Sequence, residues 1–207
     1  MTAAPKDPLF SALAEAGRRL AARGWASGTS GNFSAVVSRD PLRLAITASG
    51  LDKTALTEAD VVEVDGNARH ISGAGKPSAE THLHAVVARV RGAGAVMHTH
   101  SVWSTLLSDA HALEGGLAIE GYEMLKGLDG VATHEHREWI PIVENAQDMP
   151  ELAHRVEALL RERPDAHAFL LRRHGLYTWG RDLAEAVRHV EILEFLFEVL
   201  VRREGRA

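Results

Sequence analysis

Three short β-branched or apolar runs, Phe33 to Val37, Leu42 to Thr47 and Val61 to Val64, follow one another between Gly, Asp-Pro and Asp-Gly breaks. Strands joined by such close connections favour antiparallel pairing, and this constrains the fold more than any other feature of the chain. The runs are preceded by a different period. Phe10, Leu13, Ala14, Gly17, Leu20 and Ala21 recur at helical spacing and stop before Gly24, which predicts an amphipathic helix. A second helix is expected over Ala79 to Arg91 with Ser78 as its N-cap, leading through a Gly-rich turn into a strand at Ala95, Val96 and Met97. Trp139 to Val143 and His167 to Arg173 read as further strands. Asp148 with Glu151, and Asp182 with Glu185, have capping-box spacing ahead of long apolar-periodic runs, so two more helices are expected there. The pattern is a mixed α and β domain with helices around a largely antiparallel sheet. No linker, repeat or composition break divides residues 1–207, so a single domain is expected.

Composition narrows the chemistry. With 45% hydrophobic and 25% charged residues, the chain can bury a core, and disorder is excluded as its main state. It has no cysteine, which excludes disulfides, a thiol nucleophile and thiolate metal ligands. A net charge of −5 argues against a nucleic-acid surface. The most apolar stretch, Ile192 to Val201, is interrupted by Glu194 and Glu198 and is too short to span a membrane. The opening ten residues carry Asp7 and two prolines and lack the basic start and apolar run of a secretory signal, so a cytoplasmic location is expected.

The unusual count is twelve histidines. His98 and His100 are two apart on an expected strand, which puts both imidazoles on one face at chelate spacing, although two polar residues at a strand end would look the same. A third ligand is available in His174, at the end of another expected strand and followed by Gly175. Three imidazoles with an open position would make a catalytic zinc site. His82 and His84 share the spacing but fall on a helix, where residues two apart diverge, so each is expected to be solvated or half-buried. His134 and His136 lie in a polar run and are given no catalytic role, and His70, His111, His154, His167 and His189 are read as surface or capping residues. Glu80, near a helix start, fits a metal ligand, a base or a partner of the helix dipole. Glu123, three residues before Lys126, fits a catalytic acid or a surface ion pair. Three small-residue segments, Ser27 to Asn32, Thr47 to Gly50 and Lys76 to Ala79, could each present donors to an anion, though each could also be a plain turn. No Walker or dinucleotide glycine fingerprint is present.

Ser30-Gly31-Asn32-Phe33-Ser34, Thr47-Ala48-Ser49-Gly50, Lys76-Pro77-Ser78-Ala79-Glu80, His98-Thr99-His100 and Arg173-His174-Gly175 stand in the order seen in the class II aldolase and adducin-like superfamily, which the chain resembles over nearly its whole length. Glu123-Met124-Leu125-Lys126-Gly127, Pro141 to Asn145 and Arg172 to Gly180 are similar to a branch that dehydrates a methylthio ketose phosphate in methionine salvage. The resemblance implies a three-layer α/β/α domain with a mixed, mostly antiparallel central sheet. It also implies one zinc per subunit on His98, His100 and His174, Glu123 as catalytic acid/base, and Glu80 as a secondary acid/base ranked after it. A phosphate cradle from Gly31, Asn32, Ser49, Gly50 and Ser78, a small phosphorylated ketose as substrate and a homotetramer complete the expectation. The competing readings are a sugar-phosphate aldolase or 4-epimerase, and a metal-free adducin-like interaction protein.

Overall fold

The computed structural model describes residues 8–205, so residues 1–7 of the opening segment lie outside it. The first helix is α1 (Pro8–Ala22), and the antiparallel strands β1 (Asn32–Arg39), β2 (Leu42–Thr47), β3 (Val61–Asp65) and the short β4 (His70–Ser72) follow. Then come α2 (Thr81–Arg91), β5 (Ala95–Thr99), α3 (Val102–Ala110), β6 (Gly116–Glu120) and β7 (Arg137–Val143). The chain ends with α4 (Met149–Glu162), β8 (Ala168–Leu171), β9 (Gly175–Gly180) and α5 (Leu183–Arg203). The nine strands form one sheet in the order β4-β3-β2-β1-β5-β9-β8-β7-β6. Only β7 and β8 pair parallel among the described residues, so the sheet is mixed and mostly antiparallel.

Alternation along the strands makes three layers. On β5, Ala95 and Met97 pack with Leu13 and Leu20 of α1 and Val190 of α5, whereas Val96 packs with Leu83 of α2 and Val156 of α4. Helices α1, α3 and α5 therefore cover one face, with α3 and α5 sharing the cluster around Leu107 and Phe197, and α2 and α4 cover the other. The same alternation sends Thr99 toward α5 and His98 toward the α2 side. Asp148 and Asp182 cap α4 and α5 as their spacing predicts, accepting from the backbone N–H groups of Glu151 and Glu185.

Several local expectations are corrected. Helix α2 begins two residues later than expected, with Glu80 and not Ser78 at its N-cap. The Ser78 hydroxyl instead accepts from the Glu80 N–H at 3.2 Å and closes the turn before the helix. The strand expected over His167 to Arg173 runs only from Ala168 to Leu171, so His174 lies in a three-residue hairpin, in which Arg173 takes φ 54°, and Gly175 opens β9. Helix α3 and strands β4 and β6 fall in Ser-, Gly- and His-containing segments whose local pattern announces neither period. Among the described residues no helix is long and apolar enough to cross a membrane.

Candidate metal centre and anion cradle

Strand β5 delivers His98 and the residue after it, and His100 leaves the strand with its backbone N–H held by the Trp25 carbonyl at 2.7 Å. His98 is fully buried, stacked on Tyr177 with ring centroids 4.0 Å apart, and its Nδ1 donates to the Leu176 carbonyl at 2.9 Å. A carbonyl only accepts, so in the neutral ring the proton stays on Nδ1 and Nε2 is left as a lone pair. That Nε2 is 2.7 Å from His100 Nε2. His174 comes from the β8–β9 hairpin, and its Nε2 lies 3.2 Å from Glu80 Oε1, which is also 3.4 Å from His98 Nε2. Donor atoms of Glu80, His98, His100 and His174 all fall within 4.8 Å of one another. The sequence thus brings together the three histidines it singled out, and adds Glu80.

The electrostatics suit a cation. Burial pushes the His100 pKa down to about 3, helped by the neighbouring imidazoles, so its lone pair is free at neutral pH. Burial pushes the Glu80 carboxyl up, but His98 and His174 more than offset it and hold Glu80 well below the usual carboxylate range. Burial, and then the Glu80 charge, raise the Tyr177 hydroxyl well above its ordinary value, so it stays neutral. Three imidazoles and one carboxylate, with no thiolate, form a donor set that fits a divalent transition metal.

Behind the cluster lies a layer that sequence reasoning missed. Glu80 Oε2 accepts from the Asn32 side-chain amide at 2.6 Å, and Asn32 Oδ1 accepts from His84 Nε2 at 2.5 Å. The Ser34 hydroxyl then completes the relay at 2.7 Å from His84 Nδ1. His84 is therefore neither solvated nor half-buried: it has no exposed surface, and burial lowers its pKa to about 3. Its spacing from His82 carries no signal of this. The signal is instead that position 84 falls on the apolar stripe of α2 with Leu83 and Val87.

The expected anion-binding segments converge beside this layer. Asn32 Nδ2 also lies 3.4 Å from Ser78 Oγ, and the Ser49 N–H donates to the Lys76 carbonyl at 2.9 Å, which joins all three loops. Gly31 sits at φ 73°, and a Cβ there would come 2.9 Å from the His98 carbonyl oxygen, so only glycine lets this loop close on the metal strand. The loops are pinned by Lys53, a residue not singled out by the sequence, which is 1% exposed. Its ammonium donates to the carbonyls of Thr29 at 3.1 Å and Leu51 at 2.9 Å.

Glu123 lies elsewhere within the chain. It opens a 3-10 turn, Glu123–Gly127, after β6, is exposed, and pairs with Lys126 at 2.7 Å, which lowers its pKa. It is not among the four residues of the cluster. Other expectations are revised too: His189 is buried, while His167 is half-buried and hydrogen-bonded to Glu138.

The fold and the cluster define a class. The profile of the class II aldolase and adducin N-terminal domain matches residues 11–201, and the chain belongs to that family. A structure of L-fuculose-1-phosphate aldolase from Thermus thermophilus superposes with a TM-score of 0.72 at 28% identity, covering 95% of each chain. Within the family, the chain is 45% identical over 194 residues to the methylthioribulose-1-phosphate dehydratase of Methylococcus capsulatus, covering 93% of each. It is 44% identical to the enzyme of that name from Serratia proteamaculans, covering 94% of each.

Proposed function

We propose that this protein is a hydro-lyase that converts 5-methylthioribulose 1-phosphate to 2,3-diketo-5-methylthiopentyl 1-phosphate, a step of methionine salvage. The observation that carries the reading is the four-residue cluster beside the three-loop cradle, in a chain similar over nearly its full length to dehydratases of that name. His98, His100 and His174, with Glu80 close by, would hold one zinc ion per subunit. When bound, such an ion supplies Lewis acidity to the carbonyl and hydroxyl oxygens of the ketose.

The residues of the chain divide the remaining work. Backbone and hydroxyl donors of Gly31, Asn32, Ser49, Gly50 and Ser78 take the phosphate, with the buried Lys53 ammonium adding positive charge behind them. Asn32, held by His84, fixes the orientation of the Glu80 carboxylate. Glu123 handles the proton traffic. A proton leaves C3, the C4 hydroxyl departs as water, and the enol relaxes to the diketone. Because Glu123 stands outside its own chain's cluster, we assign it to the site of a neighbouring copy, in keeping with a homotetramer whose sites lie near subunit contacts. A phosphorylated sugar does not cross membranes unaided, which fits a cytoplasmic location.

The test is turnover of 5-methylthioribulose 1-phosphate by metal-analysed protein, with fuculose and ribulose phosphates as controls and His98→Ala as the blank. Diketone from the methylthio sugar alone, lost in the blank and in Glu123→Gln, is the expected result. The place of Glu80 against His98 and His174 favours one second reading, an aldolase. Aldehyde products with dominant loss in Glu80→Gln would establish it instead, and protein that binds no metal would revive the interaction-protein reading.

A further inference from the structure

A second group of metal-ligating side chains lies at the far side of the sheet. His136 immediately precedes β7, Glu138 is two residues on, and His167 immediately precedes β8, the parallel neighbour of β7. Glu138 is 1% exposed although it carries a carboxylate. Its Oε1 accepts from the His167 backbone N–H at 3.2 Å. Its Oε2 faces two ring nitrogens at once, His136 Nε2 at 2.8 Å and His167 Nδ1 at 3.0 Å. The other nitrogen of His167, Nε2, is 2.8 Å from the Asp129 carbonyl, which can only accept, so that nitrogen carries a hydrogen. In the neutral ring Nδ1 is then a lone pair aimed at a carboxylate oxygen. Two acceptors at that separation repel unless a positive charge is shared between them.

We propose that His136, Glu138 and His167 form a second divalent-cation site, suited to zinc or an ion with similar nitrogen and oxygen preference. The three donor atoms lie within 4.8 Å of one another. An imidazole whose distal N–H is held by a backbone carbonyl, as the Asp129 carbonyl holds His167, is the usual support of a metal-bound histidine. The charge of the buried carboxylate is offset by the ion. Solvent reaches the site, since the side chains of His136 and His167 are 32% and 16% exposed while Glu138 is 2% exposed. The ion would act structurally. It would fix His167, and through it the backbone of Asp129, whose N–H also donates to His189 Nε2 at 3.1 Å. Asp129 lies two residues after the turn that carries Glu123, beyond Leu128, so the site would anchor the end of that turn to the sheet.

The experiment is zinc stoichiometry by elemental analysis after gel filtration, made first on a His98→Ala/His100→Ala double variant so that the principal cluster does not contribute. One retained zinc per chain is expected, falling to none when His136→Ala is added. Cobalt(II) loaded into the double variant should show ligand-field bands that disappear with His136→Ala. His136 is half-exposed, so its loss leaves the core intact, and circular dichroism checks that each variant is folded. Loss of a ligand should weaken binding by at least about tenfold, the lower range for losing even a supporting partner. No zinc retained by the folded double variant, or retention unchanged by His136→Ala, overturns the proposal and leaves a proton on His167 as the shared charge. Either outcome is independent of which sugar the enzyme turns over.

Discussion

Glu194 is the most revealing residue to perturb, because it is a carboxylate beneath the metal strand with almost no access to water. It projects from α5, is 1% exposed, and accepts at 2.8 Å from the hydroxyl of Thr99, the residue between His98 and His100. Burial pushes its carboxyl up to about 7, against the opposing pull of the Ser101 and Thr99 hydroxyls. The unfolded chain releases this proton near the ordinary value of 4.5. The folded chain keeps it until about 7. Glu194 therefore contributes stability that is complete below pH 4.5 and is lost as pH rises through about 7. At ~1.4 kcal/mol per pH unit the loss is roughly 3 kcal/mol. Glu194→Gln keeps the shape and the acceptor for Thr99 but cannot ionise. In a protein of this size each kcal/mol moves Tm by about 2–4 °C. Chelator-treated variant should therefore melt roughly 6–12 °C above similarly treated wild type at pH 8 and close to it at pH 5. Comparing the two proteins at each pH cancels the other titrating groups. A Tm difference that is the same at both pH values, or a variant that melts lower at pH 8, would refute the argument that burial governs this carboxyl.

Two further substitutions test how the site is held. A Cβ at Gly175 would overlap the Thr99 carbonyl oxygen and approach His98 Cε1 to 3.2 Å, so Gly175→Ala must part β5 from β9. We expect a cost of about 1–3 kcal/mol in thermal melts, and zinc affinity reduced at least severalfold; wild-type affinity would show that the hairpin does not set the His174 position. Lys53→Met removes the buried ammonium and leaves the Thr29 and Leu51 carbonyls without their donor. KM for the phosphorylated substrate should rise about tenfold with a smaller change in kcat, and Tm should fall by an amount matching roughly 1–3 kcal/mol; an unchanged KM would remove Lys53 from the cradle.

How much of this was legible in the sequence depends on the distance over which each feature is decided. The pairing of β1 to β3 follows from local strand pattern and close turns, and the caps of α4 and α5 follow from acids three residues apart. His98 and His100 were legible for the same reason, because alternation in a strand is a local rule. Ser78 was misplaced as a cap because the choice between a turn and a helix start is settled by contacts with the Asn32 loop, 46 residues away in sequence. His84 and Lys53 show the limit most clearly. A histidine bonded to residues 50 and 52 positions earlier, and a lysine bonded to a carbonyl 24 positions earlier, leave no trace of those partners in their own neighbourhoods, although the apolar stripe of α2 marks position 84 as buried. Burying such groups without partners would cost several kcal/mol, so each position makes sense only once the partners are assembled around it. Glu123 takes the same reasoning one level further. It belongs to a motif legible in the sequence, yet it is not among the donors of the cluster in its own chain and pairs there with Lys126. In the proposed function its decisive contact comes from a neighbouring copy, which neither the local pattern nor the fold of one chain records.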